Sequence, residues 1–256
     1  MPASDSQNSS DKHPILEIEK VITMENKKDN DYLSRMAHEF KGPLTKIYSA
    51  AQLLQNMTLE EDKKDLITFI LDGSKKLIFM MNNLFEYFKD NDNIDNTLKK
   101  KKEDLVLIVN KVVEELQYFI EKRDHKFSIS VPDKLIAKVD KYKMEQVFTN
   151  LLTNAIKYTP PKGIIELELK KKNHHIYFSI TDNGIGIEKK DQKNLFKKFS
   201  VIRPNLEPNK DIFLEGTGLG LYLSKRIVDN HNGQIWVDSE GINKGATFFV
   251  KIPIED

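Results

Sequence analysis

Apolar residues recur with helical spacing over the first third of the chain. From Leu33 they appear every three or four positions as far as Leu54, and a second run extends from Leu66 to Phe88. A polar turn at residues 56–58 separates the runs, so the pattern predicts two long helices in an antiparallel hairpin. Because so wide an apolar stripe on a lone hairpin would face water, we expect a two-fold partner to complete a four-helix bundle.

The rest of the chain alternates between helical and strand-like periods. Helices are predicted at residues 105–122, 140–158, 188–196 and 219–230, and strands at residues 125–131, 163–172, 174–182, 234–240 and 245–252. Two pairs of strands follow each other directly, which favours antiparallel pairing. The whole chain is therefore predicted to be α+β, with a helical hairpin followed by an α/β sandwich.

Changes in composition predict the domain boundaries. Residues 1–14 have little to bury and are predicted to be a disordered tail, and residues 15–90 form the hairpin domain. Residues 91–103 are rich in Asp, Asn and Lys and have the polarity of a linker. The second domain is then expected at residues 104–256.

The charge balance and cysteine count exclude several functions. The chain has 256 residues, a formal net charge of +1 and no cysteine. It therefore lacks the basic surface of a nucleic-acid-binding protein, and disulfides, thiolate zinc sites and cysteine nucleophiles are ruled out. The sequence also contains neither a transmembrane-length apolar run nor a signal-peptide pattern. We expect a cytoplasmic protein, or the cytoplasmic portion of one that reaches the membrane only through segments absent from this chain.

The first candidate for chemistry is His38, in the string SRMAHEFKGPL on the first predicted helix. A helical histidine is commonly structural, but an imidazole has a free nitrogen lone pair at neutral pH that can attack phosphorus. The adjacent Glu39 is able to orient the ring or accept its proton. Pro43 removes a backbone donor one turn later and predicts a bend beside the histidine.

A second group of candidates lies on the predicted helix at residues 140–158. Asn150 and Asn154 are four residues apart and share one helical face. Magnesium prefers oxygen ligands, so an amide oxygen together with nucleotide phosphates would suit it. Lys157 and Tyr158 add a cation and a ring at the end of the same helix, although each residue alone is equally typical of an ordinary surface.

Two glycine-rich strings complete the candidates. TDNGIGI follows a strand that ends at Asp182, whose carboxylate is able to accept a hydrogen bond from an adenine amino group. EGTGLGLYLSKRIV leads directly into a helix whose free amides suit phosphate oxygens. Its spacing matches neither a Walker loop nor a dinucleotide-binding GxGxxG. Between the strings lie Phe199 and a long loop, which we interpret as a lid.

Taken together and in this order, the strings closely resemble the motifs of the two-component sensor histidine kinases, whose ATP domain is similar to that of gyrase and MutL. The resemblance covers roughly residues 25–254. It implies that the chain is a homodimeric protein-histidine kinase that uses ATP and Mg²⁺ in signal transduction. His38 would be phosphorylated, with Glu39 as its base or orienting partner, and would pass the phosphoryl group to an aspartate on the receiver domain of a response regulator.

The resemblance also assigns roles to the nucleotide-site residues. It implies that Asn154 is a Mg²⁺ ligand and that Asp182 recognises adenine. The other implied nucleotide-site residues are Asn150, Lys157, Tyr158, Gly184, Gly186, Ile187, Phe199, Gly216, Thr217, Gly218, Leu219, Gly220 and Leu221.

Some positions depart from the family pattern. Many relatives carry Thr or Asn where this chain has Gly42, and that side chain is thought to hold a water for dephosphorylating the partner. We therefore expect weak phosphatase activity. Lys198 replaces a common Arg, and Asn232 replaces a glycine at a turn that requires a left-handed backbone. His231 is expected to be structural, and His13, His125, His174 and His175 are expected at the surface.

Two alternatives stay open. A gyrase-like ATPase would need a carboxylate base at the position of Asn150, and an amide is a poor base. A non-catalytic dimeric scaffold that binds ATP would not need His38. The intact histidine and glycine strings favour the kinase over both alternatives.

Overall fold

The computed structural model describes residues 98–200, residues 218–254 and part of the segment 40–81. Within that segment the described positions are 40, 42–45, 47–51, 53–54, 66–67, 70, 73–74, 77 and 81. The predictions for the tail, His38, Glu39, Gly216, Thr217 and the loop at 201–217 lie outside the described residues. The chain divides into two compact units, Met1–Leu77 and Ile78–Asp256.

In the first unit every described position is helical. Pro43 and Ala50 are buried. A Cβ added to Gly73 would lie 2.8 Å from Cγ1 of Ile47 and 3.3 Å from the carbonyl oxygen of Pro43. The segment around Gly73 therefore packs closely on the segment around Pro43 and Ile47, as an antiparallel hairpin requires.

Among its described residues from 98 onward, the second unit contains seven strands and four helices. The strands are β1 Lys101–Asp104, β2 Lys126–Ser130, β3 Ile136–Val139, β4 Ile164–Lys172, β5 His175–Asp182, β6 Gln234–Asp238 and β7 Ala246–Pro253. The helices are α1 Leu105–Lys122, α2 Lys141–Tyr158, α3 Lys189–Gln192 and α4 Gly220–Asn230. Among these described residues, no helix is both long enough and apolar enough to cross a membrane.

The strands form two sheets. β1 and β3 pair as an antiparallel ribbon, and the larger sheet has the order β2-β4-β5-β7-β6. The predicted antiparallel pairs β4–β5 and β6–β7 are confirmed, and β5 also pairs with β7. β2 instead runs parallel to β4, which makes the sheet mixed. The predicted α+β class with its α/β sandwich is confirmed.

One face of the large sheet packs against α2 and α4, and α1 packs on α2. Side chains of β5 and β7 alternate between buried and partly exposed, so every second residue enters the core. Phe148 of α2 meets Phe178 of β5 with ring centroids 4.3 Å apart. Because α2 lies directly on the central strand β5, the end of this helix and the end of that strand are fixed relative to each other.

Side-chain caps determine where the two long helices begin. The Asp104 carboxylate accepts a hydrogen bond from the backbone N–H of Val106 at the start of α1, and Asp140 caps α2 through the N–H of Lys143. The backbone N–H of Asp140 in turn donates to Nε2 of His231 at 3.0 Å. This contact ties the end of α4 to the start of α2, as expected for a structural histidine.

Several local predictions need correction. β1 occupies residues assigned to the linker, because backbone pairing with β3 accommodates an all-charged sequence. The helix predicted at residues 188–196 is confined to α3 and is followed by turns. His125 is buried, not at the surface: Thr159 lies beside its ring, and burial lowers the pKa of the imidazole. Asn232 has the expected left-handed backbone, with φ 58°.

Candidate nucleotide site

Asn150 lies buried between α2 and α4. Its Nδ2 donates to the carbonyl oxygen of Gly220 at 3.1 Å and to Oγ of Ser224 at 3.2 Å. A Cβ on Gly220 would come within 3.3 Å of Oδ1 of Asn150. Asn150 therefore fixes the start of the helix that follows the second glycine string, a contact that sequence reasoning did not predict.

The other predicted residues of α2 lie one and two turns further on. Asn154 is half-buried, and its carboxamide makes no hydrogen bond to any other residue that the structure describes. Nζ of Lys157 lies 4.7 Å from the centroid of the Tyr158 ring, within the range of a cation–π contact. A free amide oxygen, a cation and a ring thus follow one another along the end of α2.

Asp182 is the last residue of β5 and is almost fully buried. The backbone N–H of Gly184 donates to its Oδ1 at 2.8 Å. Burial raises the pKa of the Asp182 carboxyl to about 6, although hydrogen bonds from the backbones of Gly184 and Ala246 act in the opposite direction. A desolvated acceptor at this position suits a neutral donor such as an exocyclic amine.

The first glycine turn joins the end of β5 to the end of α2. The backbone N–H of Ile185 donates to the carbonyl oxygen of Tyr158 at 3.1 Å. A Cβ on Gly184 would collide with that same carbonyl oxygen. Gly186 has φ +68°, and a Cβ there would collide with the carbonyl oxygen of Gly241. Only glycine fits either position, and this brings Tyr158 and Asp182 together.

Ile187 ends this turn and is held by residues that the sequence did not reveal. Its side chain packs against the core, and its N–H donates to Oγ of Ser239 at 3.0 Å. Gln192 and Gly245 belong to the same hydrogen-bonded group. Two of these hydrogen bonds join residues 52 and 47 positions apart along the chain, so no local motif marks the group.

The described part of the second glycine string is Gly218 to Leu221. Gly218 has φ +70°, and its carbonyl oxygen accepts a hydrogen bond from the N–H of Phe199 at 3.1 Å. Leu219 is fully buried, and Leu221 packs against the core. The backbone of the string is therefore held by the hydrogen bond from Phe199, and its two leucine side chains are held by the core.

The predicted residues thus form two groups on α2. Asp182, Gly184 and Tyr158 meet at the C-terminal end of the helix, while Gly220 contacts Asn150 two turns earlier. Eight residues of helix correspond to about 12 Å. Lys198, which stands where relatives commonly have Arg, lies over the ring of Tyr222, with Nζ 5.1 Å from the centroid.

Two family models match the chain. The model described as histidine kinase-, DNA gyrase B-, and HSP90-like ATPase matches residues 139–256. The model described as His Kinase A (phospho-acceptor) domain matches residues 29–93. Together they cover most of the sequence.

A curated relative is similar over nearly the whole chain. The sensor protein kinase WalK of Staphylococcus aureus strain JH9 is 29% identical over 251 residues, which are 95% of this chain and 39% of the relative. WalK of Staphylococcus haemolyticus is 28% identical, again over 39% of its length. The chain thus spans about two fifths of the length of these curated relatives.

Solved structures share the fold. A histidine kinase ThkA in complex with the response regulator protein TrrA has a TM-score of 0.59 and 21% identity, covering 87% of this chain and 60% of that one. The histidine kinase AdeS of Acinetobacter baumannii has a TM-score of 0.60 and 22% identity, covering 86% of this chain and 98% of that one.

Proposed function

This chain belongs to the two-component sensor histidine kinases, and we propose that it uses ATP to phosphorylate its own His38 and then transfers the phosphoryl group to an aspartate of a response regulator. The imidazole nitrogen of His38 would attack the γ-phosphorus of ATP. A nitrogen–phosphorus bond would form as the bond to the leaving ADP breaks. Glu39 would orient the ring or accept its proton.

One observation carries the nucleotide part of this proposal. Asp182, the first glycine turn and the end of α2 meet at the point where the adenine of ATP is expected. The buried carboxylate offers an acceptor to the adenine amino group, and Tyr158 offers a ring to the base. The second glycine string, about 12 Å away along α2, would then face the phosphates.

We propose Asn154 as the protein ligand of Mg²⁺. The described residues contain no cluster of three or more His, Asp or Glu side chains suited to a metal ion. A magnesium ion in this region would thus depend on amide oxygen, water and ATP phosphates, a set that magnesium accepts. The ion would supply charge neutralisation on the phosphates. Asn150 is a weaker candidate ligand, because its amide already holds α4.

We propose that the first unit forms a dimer. Leu44, Tyr48, Leu53 and Ile67 are all helical and about half or more exposed in the single chain, with Tyr48 at 65%. A second copy with the same side chains would remove them from water in a four-helix bundle. We also propose residues 15–90 as this domain and residues 104–256 as the ATP domain, joined by a linker within residues 91–103 whose last three residues belong to β1.

The partner and the location follow from the same reaction. The ThkA–TrrA complex supports a response regulator receiver domain as the phosphoryl acceptor, by likeness of fold. Because the reaction consumes ATP, we propose a cytoplasmic location. We also propose that Gly42 makes partner dephosphorylation weak, since glycine has no side chain to position a water.

The decisive experiment is incubation with γ-labelled Mg-ATP. Wild type is expected to acquire acid-labile, base-stable label, and His38→Gln is expected to acquire none while binding ATP equally well. His174→Gln is the matched control, because His174 is an exposed histidine of the second unit. Label that survives in His38→Gln would refute the proposal, and phosphate release without any label would favour the gyrase-like ATPase.

A further inference from the structure

Ser239 is a buried hydroxyl just after β6, only 4% exposed. Its Oγ accepts hydrogen bonds from the N–H groups of Ile187 at 3.0 Å and Gly241 at 3.3 Å, and it donates to the carbonyl oxygen of Gly245 at 2.6 Å. One side chain thus holds three separate backbone positions. A hydroxyl with one donor and two acceptor lone pairs is fully used by these contacts.

Gln192, at the end of α3, reinforces the same place. Its Nε2 donates to the carbonyl oxygen of Ser239 at 2.7 Å and to that of Ile187 at 3.0 Å. Both side chains therefore connect Ile187 to the backbone around residue 239. Neither has a role in the nucleotide contacts proposed above.

The segment 241–245, which Ser239 holds, forms backbone hydrogen bonds with the first glycine turn. The N–H of Gly245 donates to the carbonyl oxygen of Gly184 at 3.1 Å, and the N–H of Asn243 donates to that of Ile185 at 2.7 Å. Gly245 has φ +67°, and a Cβ there would collide with the carbonyl oxygen of Asp182. A shift of the 241–245 segment would therefore be transmitted directly to Asp182 and Gly184.

We infer that Ser239, supported by Gln192, is a positioning residue for the nucleotide, which fixes the turn 183–187 so that Asp182 meets the adenine. This inference rests on the proposed function, because it concerns the same site. Without the hydroxyl, the N–H of Ile187 and the carbonyl oxygen of Gly245 lose their partner. The turn then adopts its binding arrangement for only a fraction of the time, and the apparent affinity falls by that fraction.

The test measures labelling of His38 against ATP concentration. Ser239→Ala is expected to raise the ATP concentration for half-maximal rate about tenfold, with a much smaller loss of rate at saturating ATP. Gln192→Ala is expected to raise it about threefold. Because both side chains hold the same turn, the double variant should lose less than the product of the single losses.

A pH profile separates positioning from general destabilisation. Loosening the turn changes both the burial of the Asp182 carboxyl and its hydrogen bond from Gly184, so the pH at which ATP affinity falls by half should shift in Ser239→Ala. The matched control is Ile252→Val, at the far end of β7 in the core. It is expected to lower the melting temperature without changing ATP affinity or its pH midpoint.

The outcomes are distinct. If Ser239→Ala changes ATP affinity and its pH midpoint no more than Ile252→Val does, the positioning role is refuted while the kinase proposal stands. If wild type itself neither binds Mg-ATP nor labels His38, the proposed function fails first.

Discussion

Opposite surroundings distinguish Gly42, in the first (helical) unit, from the glycines of the proposed nucleotide site, in the second (nucleotide) unit. In the helical unit, a Cβ added to Gly42 would meet no atom of the described residues within 4 Å outside its neighbours in the chain. In the nucleotide unit, a Cβ on Gly184, Gly186 or Gly245 would collide with a carbonyl oxygen of another segment. The helix surface at Gly42 is therefore open in the single chain, whereas the proposed nucleotide site is built from backbone segments in direct contact.

This difference separates two ways of making a site. The proposed phosphoacceptor is one imidazole, whose reactivity belongs to the side chain. The proposed nucleotide site depends on where backbone atoms lie, and Ser239, Asn150 and Gln192 hold them there through hydrogen bonds to carbonyl oxygens. Substitutions should therefore be tolerated around the first site and not around the second, and this expectation can be tested position by position.

The largest effect is expected for Gly184→Ala. The new Cβ has no room because the carbonyl oxygen of Tyr158 belongs to a helix packed on the core. The turn must shift, and we expect ATP affinity to fall about 100-fold, equivalent to about 3 kcal/mol. Isothermal titration with a non-hydrolysable ATP analogue measures this. An unchanged affinity in a folded variant would show that the tight backbone contact has no part in binding.

The next largest effect is expected at one of the two amides of α2, Asn150 and Asn154. Asn150→Ala is expected to lower the free energy of unfolding by about 2 kcal/mol, because the carbonyl oxygen of Gly220 and the hydroxyl of Ser224 lose a partner in the core. Asn154→Ala removes no hydrogen bond between described residues and should change stability by less than about 0.5 kcal/mol. Chemical denaturation of both variants tests the contrast.

Asn154 has a second readout. If it is a Mg²⁺ ligand, Asn154→Ala should weaken ATP binding in the presence of Mg²⁺ and leave metal-free ATP binding unchanged. An equal loss with and without the ion would mean that the amide contacts the nucleotide instead of the metal.

Much of the fold was predictable because its signals are local. The bounds of α1 and α2 follow from helical periodicity and from Asp104 and Asp140 as caps. β1 was missed because four charged residues carry no strand signal, and the parallel β2–β4 pairing was missed because it joins segments that are not adjacent in sequence. His125 was wrongly expected at the surface since its burial depends on packing beside Thr159.

The candidate site divides in the same way. The glycine strings and Asp182 could be found because their residue types and spacing are distinctive, and the structure brings Asp182, Gly184 and Tyr158 together. Ser239 and Gln192 could not be found, because a serine that binds distant backbone atoms looks like any turn serine. Residues that act through their own chemistry are easier to recognise in a sequence than residues that hold other residues in place.

A smaller effect concerns pH. The pKa of Asp182 in the folded chain is about 6, above its ordinary value of 3.8, so the folded state binds a proton more readily than the unfolded state. Its contribution therefore makes the folded state less stable as pH rises from about 4 to 6. The proposed adenine contact needs the ionised acceptor, so ATP binding should change in the opposite direction, weakening about fivefold from pH 6 to pH 5 as the ionised fraction falls.

Asp182→Asn isolates this effect. The phosphates of the nucleotide titrate equally in both proteins, so the difference between the two affinity curves reports Asp182 alone. The variant should bind more weakly at pH 7.5, and its affinity should show only the pH dependence of the phosphates. If the ATP affinities of the two proteins have the same pH dependence, Asp182 does not contact the adenine.

The smallest effect is expected where the comparison began, at Gly42. Alanine gains about 1 kcal/mol of helix propensity over glycine, but the following Pro43 crowds a Cβ in helical geometry. These opposing effects should leave Gly42→Ala within about 0.5 kcal/mol of wild type in thermal unfolding. Gly73→Ala, whose Cβ would lie 2.8 Å from Ile47, should cost about 1–3 kcal/mol in the same unit. If Gly42→Ala proved as costly as Gly73→Ala, the surface at Gly42 would be covered in the folded dimer, and the helical unit would resemble the nucleotide site in its intolerance of added atoms.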